Sequence, residues 1–112
     1  YVTHDKEGTA RTRVRAKWWD AKAKSWDDAS LSVFDPSELP QGDLPATATA
    51  LHYSEQEKPV FFGHYWLEGT PILQAPNALC LDYSAGLDGP LVTYRHEVGA
   101  PLEAARIITH TE

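Results

Sequence analysis

The stretch Pro59-Val-Phe-Phe-Gly-His-Tyr-Trp-Leu67 decides how the chain is read. Val60, Phe61 and Phe62 form a short apolar run behind a proline, the pattern of a buried strand. Gly63 closes the run and His64 follows, so an imidazole stands where a rigid strand stops. A functional histidine gains from that place, because the strand aims the ring and limits backbone drift. Gly63 leaves room for a metal or a substrate to approach the backbone. The plainer reading of His64 is a histidine that only forms a hydrogen bond at a strand end.

Downstream, Ala78-Leu-Cys-Leu-Asp-Tyr83 is a second apolar strand. Gly86-Leu-Asp-Gly89 supplies a turn, and Pro90-Leu-Val-Thr-Tyr-Arg95 returns as a strand, which predicts a hairpin. Arg106-Ile-Ile-Thr-His110 is a last strand. Upstream, Arg11-Thr-Arg-Val-Arg-Ala-Lys-Trp-Trp19 alternates at period 2, which predicts one strand with Arg11, Arg13, Arg15 and Lys17 on a wet face. Gly8 supplies a turn before it, with a partner strand near residues 1–4. Ser25 is placed to cap a short helix whose first turn carries Asp27 and Asp28. Residues 36–45 read as loop, and a second short helix is predicted over Ala46–Tyr53. Short strands with one or two helices give an α+β class, mostly β.

Composition narrows the function classes. With 112 residues, 42% of them apolar, the chain has enough for one compact domain, and its four tryptophans argue against disorder. The net charge of −6 opposes binding of nucleic acid through phosphate neutralisation. Positive charge is concentrated before residue 25, and a basic strand over residues 11–17 beside Trp18 and Trp19 offers an alternative: a non-catalytic module that grips phosphate groups or self-associates. Cys80 is the only cysteine, so no internal disulfide can form, which predicts a cytoplasmic protein. No apolar run is long enough to span a bilayer, so no membrane partner is expected. There is no methionine, which predicts a processed or excised piece of a longer protein.

Taken together, Pro59–Leu67, Asn77-Ala-Leu-Cys-Leu-Asp-Tyr-Ser84 and Gly89-Pro-Leu-Val-Thr-Tyr-Arg95 resemble the C-terminal end of calcineurin-like metallophosphoesterases. The likeness is to the bacterial branch related to serine/threonine protein phosphatases and diadenosine tetraphosphate hydrolases. It extends over nearly the whole chain, with residues 1–58 similar to the variable insert of that branch and residues 59–112 to its C-terminal strands. It implies part of a metallophosphoesterase β-sandwich and hydrolysis of a phosphoester at a pair of divalent metals, manganese, iron or zinc. It implies His64 as a ligand to one metal and Gly63, Tyr65, Asp82 and Tyr83 as substrate-pocket residues. The substrate is then phosphorylated: a phosphoprotein, a nucleotide or a small molecule. For Asp82 an Asx turn capping the strand end is the equal alternative, and Cys80 reads as a buried, inert thiol.

The chain departs from the family's pattern in two places within these stretches. Trp66 stands where many members have a second histidine, and Gly89-Pro90 stands where relatives often have two glycines. The Asp-x-His, Gly-Asp-x-x-Asp and Gly-Asn-His-Glu motifs are absent; Gly42-Asp43-Leu-Pro-Ala46 has alanine where the carboxylate belongs. A fragment with one ligand is therefore expected to be inactive by itself, with no certain catalytic residue. Strands stripped of a facing sheet are expected to leave apolar surface and free edges, and so to self-associate.

Overall fold

The computed structural model describes residues 1–49 and 52–111. The chain divides into two compact units, Tyr1–Tyr53 and Ser54–Glu112. Among the described residues the regular elements are short: four two-stranded sheets and helical segments of three or four residues, mostly β with a little helix.

In the first unit, β1 (Thr3–His4) pairs antiparallel with β2 (Ala10–Arg11). Gly8 takes φ 83°, the left-handed backbone that the turn requires. Asp5 fastens that turn. Its Oδ1 accepts the backbone N–H groups of Glu7 and Thr9, both at 3.0 Å, and its Oδ2 accepts Arg11 Nη2 at 3.1 Å. Strand β3 (Arg15–Ala16) pairs instead with β4 (Ser30–Leu31). Helix α1 (Trp26–Ala29) begins at Ser25, whose Oγ accepts the Asp28 N–H at 3.0 Å, as the capping signal predicts. Helix α2 spans Ala46–Thr49; the continuation predicted towards Tyr53 falls in part on residues 50 and 51, outside the described residues. Trp19, Leu39, Ala23 and Thr3 are buried, and Trp18 meets Trp19 and Tyr53 edge-on, with centroids 5.1 and 5.6 Å apart.

The single strand expected over residues 11–19 does not form. Arg11 and Arg15 belong to different sheets, because β2 is held by the Gly8 turn and Asp5 while β3 takes its ladder from β4. Thr12 and Ala16, expected on the dry face, are exposed. Alternation in sequence gave no unbroken basic face, since two separate partners claimed its two ends.

The second unit is built on a parallel pair, β5 (Val60–Phe62) and β6 (Ala78–Cys80), in the register Val60 with Ala78, Phe61 with Leu79 and Phe62 with Cys80. Residues 63–77 supply the long crossover that parallel pairing demands. Ala78, Leu79 and Cys80 are fully buried, which accounts for the unbroken apolar run. That burial is achieved within this chain, so β6 does not present the open apolar face expected of it. Asn77, itself buried, donates from Nδ2 to the Ser54 and Glu57 carbonyls at 2.9 and 3.0 Å and so fixes the entry to β6.

The expected hairpin between the strands at Ala78–Tyr83 and Pro90–Arg95 is also absent. Strand β7 (Leu91–Tyr94) pairs antiparallel with β8 (Ile107–His110). The reason lies in residues 84–89. Leu87 and Gly89 both donate N–H groups to the Ser84 carbonyl, at 2.8 and 2.9 Å, and Ala85–Leu87 form a 3₁₀ turn. This compact knot directs β7 away from β6. Tyr94 then packs on Phe61 with ring centroids 5.5 Å apart and accepts the Glu103 N–H at 2.8 Å.

Candidate functional site

Because β5 and β6 run parallel, both carboxyl ends leave the ladder at the same edge. Extending the register that pairs Phe62 with Cys80 by two residues brings His64 to the level of Asp82. The carboxyl ends of parallel strands are where loops can gather functional groups around a rigid ladder. Here Phe62, Gly63, His64, Trp66, Leu81 and Asp82 line an open groove of about 460 Å³.

The loop leaving β5 has an unusual backbone. His64 has φ 68° and Trp66 φ 51°, both left-handed, a region that non-glycine residues enter at a cost of about 1–3 kcal/mol each. Tyr65 between them is buried and meets the Phe62 ring at 5.1 Å, whereas His64 and Trp66 are exposed. The fold thus sinks the middle residue and offers its two neighbours to the groove. The His64 imidazole has no hydrogen-bond partner among the described residues, so both ring nitrogens are open to a ligand.

Asp82 holds this loop in place. Its Oδ2 accepts the Trp66 N–H at 3.3 Å, its carbonyl accepts the Leu67 N–H at 3.0 Å, and its Oδ1 accepts the Ser84 N–H at 3.1 Å. The last contact is an Asx turn. Ser84 Oγ closes the clasp by donating to the Leu67 carbonyl at 3.1 Å. Asp82 therefore lines the groove and caps the strand at once.

The other sequence candidates take different places. Gly63 borders the groove, and a Cβ there would meet only the Asp82 Cβ, at an ordinary 3.8 Å. Neither a left-handed φ nor crowding by its own chain requires glycine at this position. Tyr65 and Tyr83 are 8% and 3% exposed and do not line the groove; Tyr83 accepts the Ile72 N–H at 3.1 Å through its hydroxyl. Cys80 is wholly buried, and burial pushes its thiol up from the ordinary 9.0, with the negative Asp82 adding to the rise. Sequence reasoning missed Trp66, Phe62 and Leu81 as lining residues. Of these only Trp66 gave any signal, as an indole two residues past a candidate histidine, and its left-handed φ has no signature in residue type.

No three His, Cys, Asp or Glu side chains are grouped closely enough to hold a metal ion among the described residues. At the groove the donor set is one free imidazole and one carboxylate whose two oxygens each already accept a backbone N–H. That set does not fit a metal pair, which needs bridging ligands and several further donors. The remaining histidines are dispersed: His4 Nδ1 lies 2.5 Å from Glu38 Oε2, His110 Nε2 lies 2.9 Å from Thr93 Oγ1, and the His96 ring packs on Phe61. Of the basic residues, Arg11 and Arg15 lie in different sheets, and Arg11 is engaged by Asp5. No helix of the described residues is long and apolar enough to cross a membrane. Compared with known proteins, the chain matches no family model, no curated protein and no solved structure.

Proposed function

We propose that this chain is the C-terminal part of a metal-dependent phosphoesterase, to which His64 contributes one metal ligand. In this reading β5 and β6 are strands of a larger β-sandwich, and the other ligands come from outside these residues, since the groove's own donors do not suffice. The observation that carries it is the state of His64. An exposed imidazole without a partner stands at the carboxyl end of a parallel pair, on a backbone that costs free energy to hold. A histidine serving only to satisfy a strand end would be bonded; this one is not. The Gly63-His64-Tyr65-Trp66 context, resembling the metal-ligand strand of calcineurin-like enzymes, supplies the reaction class.

The test is turnover of p-nitrophenyl phosphate by a protein containing this sequence together with the missing motifs, with manganese added and removed. His64→Ala is expected to lower both bound metal and turnover by at least about 10–100-fold, the loss that even an outer-sphere partner of a ligand produces. Unchanged metal content and unchanged turnover in that variant would end the proposal.

A further inference from the structure

We propose that Trp66 is a ring-binding wall of the His64 groove, and that the groove takes a phosphoester whose alcohol carries a flat aromatic ring. The phosphate half of this assignment rests on the phosphoesterase reading of His64; the ring half stands on Trp66 independently. Trp66 is 49% exposed, although an indole is among the side chains with most to gain from burial. Its left-handed φ of 51° is not spent on reaching the core, which receives Tyr65 instead. The Asp82 carboxylate fixes the Trp66 backbone through its N–H, so the indole is anchored beside the groove rather than carried on a free loop.

The chemistry of the walls selects the occupant. Both Asp82 oxygens accept backbone N–H groups, so the carboxylate is engaged with the loop and is not the open polar group of the groove. His64 remains as the open polar group, able to donate to a phosphate oxygen. Phe62, Trp66 and Leu81 supply apolar surface, and a flat ring stacks on an exposed indole whatever its substituents. The groove is open, so its walls can meet one face of a flat ring without enclosing the rest of the ligand. The shared chemistry is a ring attached to a phosphoester; a nucleoside or a tyrosyl group could bring it.

The experiment follows the indole N–H resonance of Trp66 while the 112-residue chain is titrated with adenosine 5′-monophosphate, O-phosphotyrosine, adenosine and ribose 5-phosphate. The ring-bearing ligands are expected to shift it and ribose 5-phosphate to leave it in place. The tighter of the first two names the ring's source. Trp66→Ala should weaken binding of the better ring phosphate at least about fivefold, without changing ribose 5-phosphate binding. Trp66→Phe, which keeps a stacking face, should retain most of the affinity. Slow amide exchange at Ala78–Cys80 reports that each variant is folded. The proposal is overturned if no ring ligand shifts Trp66, or if Trp66→Ala binds every ligand as well as the parent chain does. Adenosine that shifts Trp66 with nothing gained from its phosphate supports the ring wall and overturns the phosphate half of the assignment, whereas loss of the phosphoesterase reading is read separately, from the metal content and turnover of His64→Ala.

Discussion

The Oδ2 atom of Asp82 accepts the backbone N–H of Trp66 at 3.3 Å, tying the end of β6 to the loop that leaves β5. One side chain thus sets the backbone that carries both exposed groups of the groove. Asp82→Ala removes this bond and the Asx turn to Ser84 together. Bonds to a charged acceptor are worth about 1.5–3 kcal/mol, and Asp82 is only half-buried, so a loss near the lower end is expected in urea unfolding. The same variant should release His64 and Trp66 from left-handed φ, read as collapsed chemical-shift dispersion across residues 64–67. Unaltered shifts there would show that Asp82 is an ornament of the loop and not its clasp.

How much of this could be read from residue types depends on the range of the forces involved. The Gly8 turn, the Ser25 cap, the strands at Val60–Phe62 and Ile107–His110 and the Asx turn at Asp82 are local, and each announced itself by composition. Pairing is not local. Arg11 and Arg15 look like one strand until the separate neighbours Thr3 and Leu31 claim them. Leu91–Tyr94 looks like the return of a hairpin until residues 84–89 tighten and send it to β8. At the groove, the sequence singled out His64 and Asp82, but burial of Tyr65 and Tyr83 and exposure of Trp66 depend on backbone angles that residue types do not encode.

Asn77 offers a sharp test of the second unit's core. Its Nδ2 donates to two carbonyls, those of Ser54 and Glu57, in a buried position. Asn77→Ala removes both bonds, although the Ser54 carbonyl keeps the Glu57 N–H at 3.1 Å, and should cost about 1–3 kcal/mol for the pair. Asn77→Asp is nearly isosteric, yet at neutral pH it sets a carboxylate against two carbonyl oxygens and should cost more than alanine. Protonation turns that group into a donor, so the gap between the two variants should narrow as pH falls. An aspartate variant as stable as the wild type at pH 7 would refute the assignment of Nδ2 to this site.

The β1–β2 hairpin carries its own pH dependence. The Thr9 backbone N–H is the main influence holding Asp5 below its ordinary 3.8, with partial burial opposing and the Arg11 guanidinium and the Glu7 N–H assisting. A carboxylate whose folded value is depressed contributes stability above its unfolded value and loses it as pH falls through the folded one. The cross-strand amide protection between Thr3 and Arg11 should therefore be level from neutral pH to about 4 and fall below it. Asp5→Asn should remove that acid step and weaken the hairpin at pH 7, where the ion pair with Arg11 is lost. Proton exchange measured across the step decides it: an acid fall that persists in Asp5→Asn must come from another group.

Gly89 and Gly86 lie in the same turn and should respond oppositely to a methyl group. A Cβ on Gly89 would collide with the Tyr83 carbonyl oxygen and stand 2.8 Å from the carbonyl carbon and oxygen of Ser84. These are backbone atoms, with the Ser84 carbonyl pinned by the N–H groups of Leu87 and Gly89, and cannot swing aside as a side chain would. Overpacking of that kind costs about 1–3 kcal/mol, and here it also loosens the knot that steers β7 toward β8. Gly86 has open space around it and no left-handed φ, so Gly86→Ala loses no contact and restricts the unfolded chain. It should leave stability unchanged or raise it by about 0.4–1 kcal/mol. Urea unfolding followed at the Val92 and Ile108 amides reads both variants on the sheet they affect. If Gly89→Ala proves as harmless as Gly86→Ala, the turn is not held by close backbone approach, and the diversion of β7 needs a different cause.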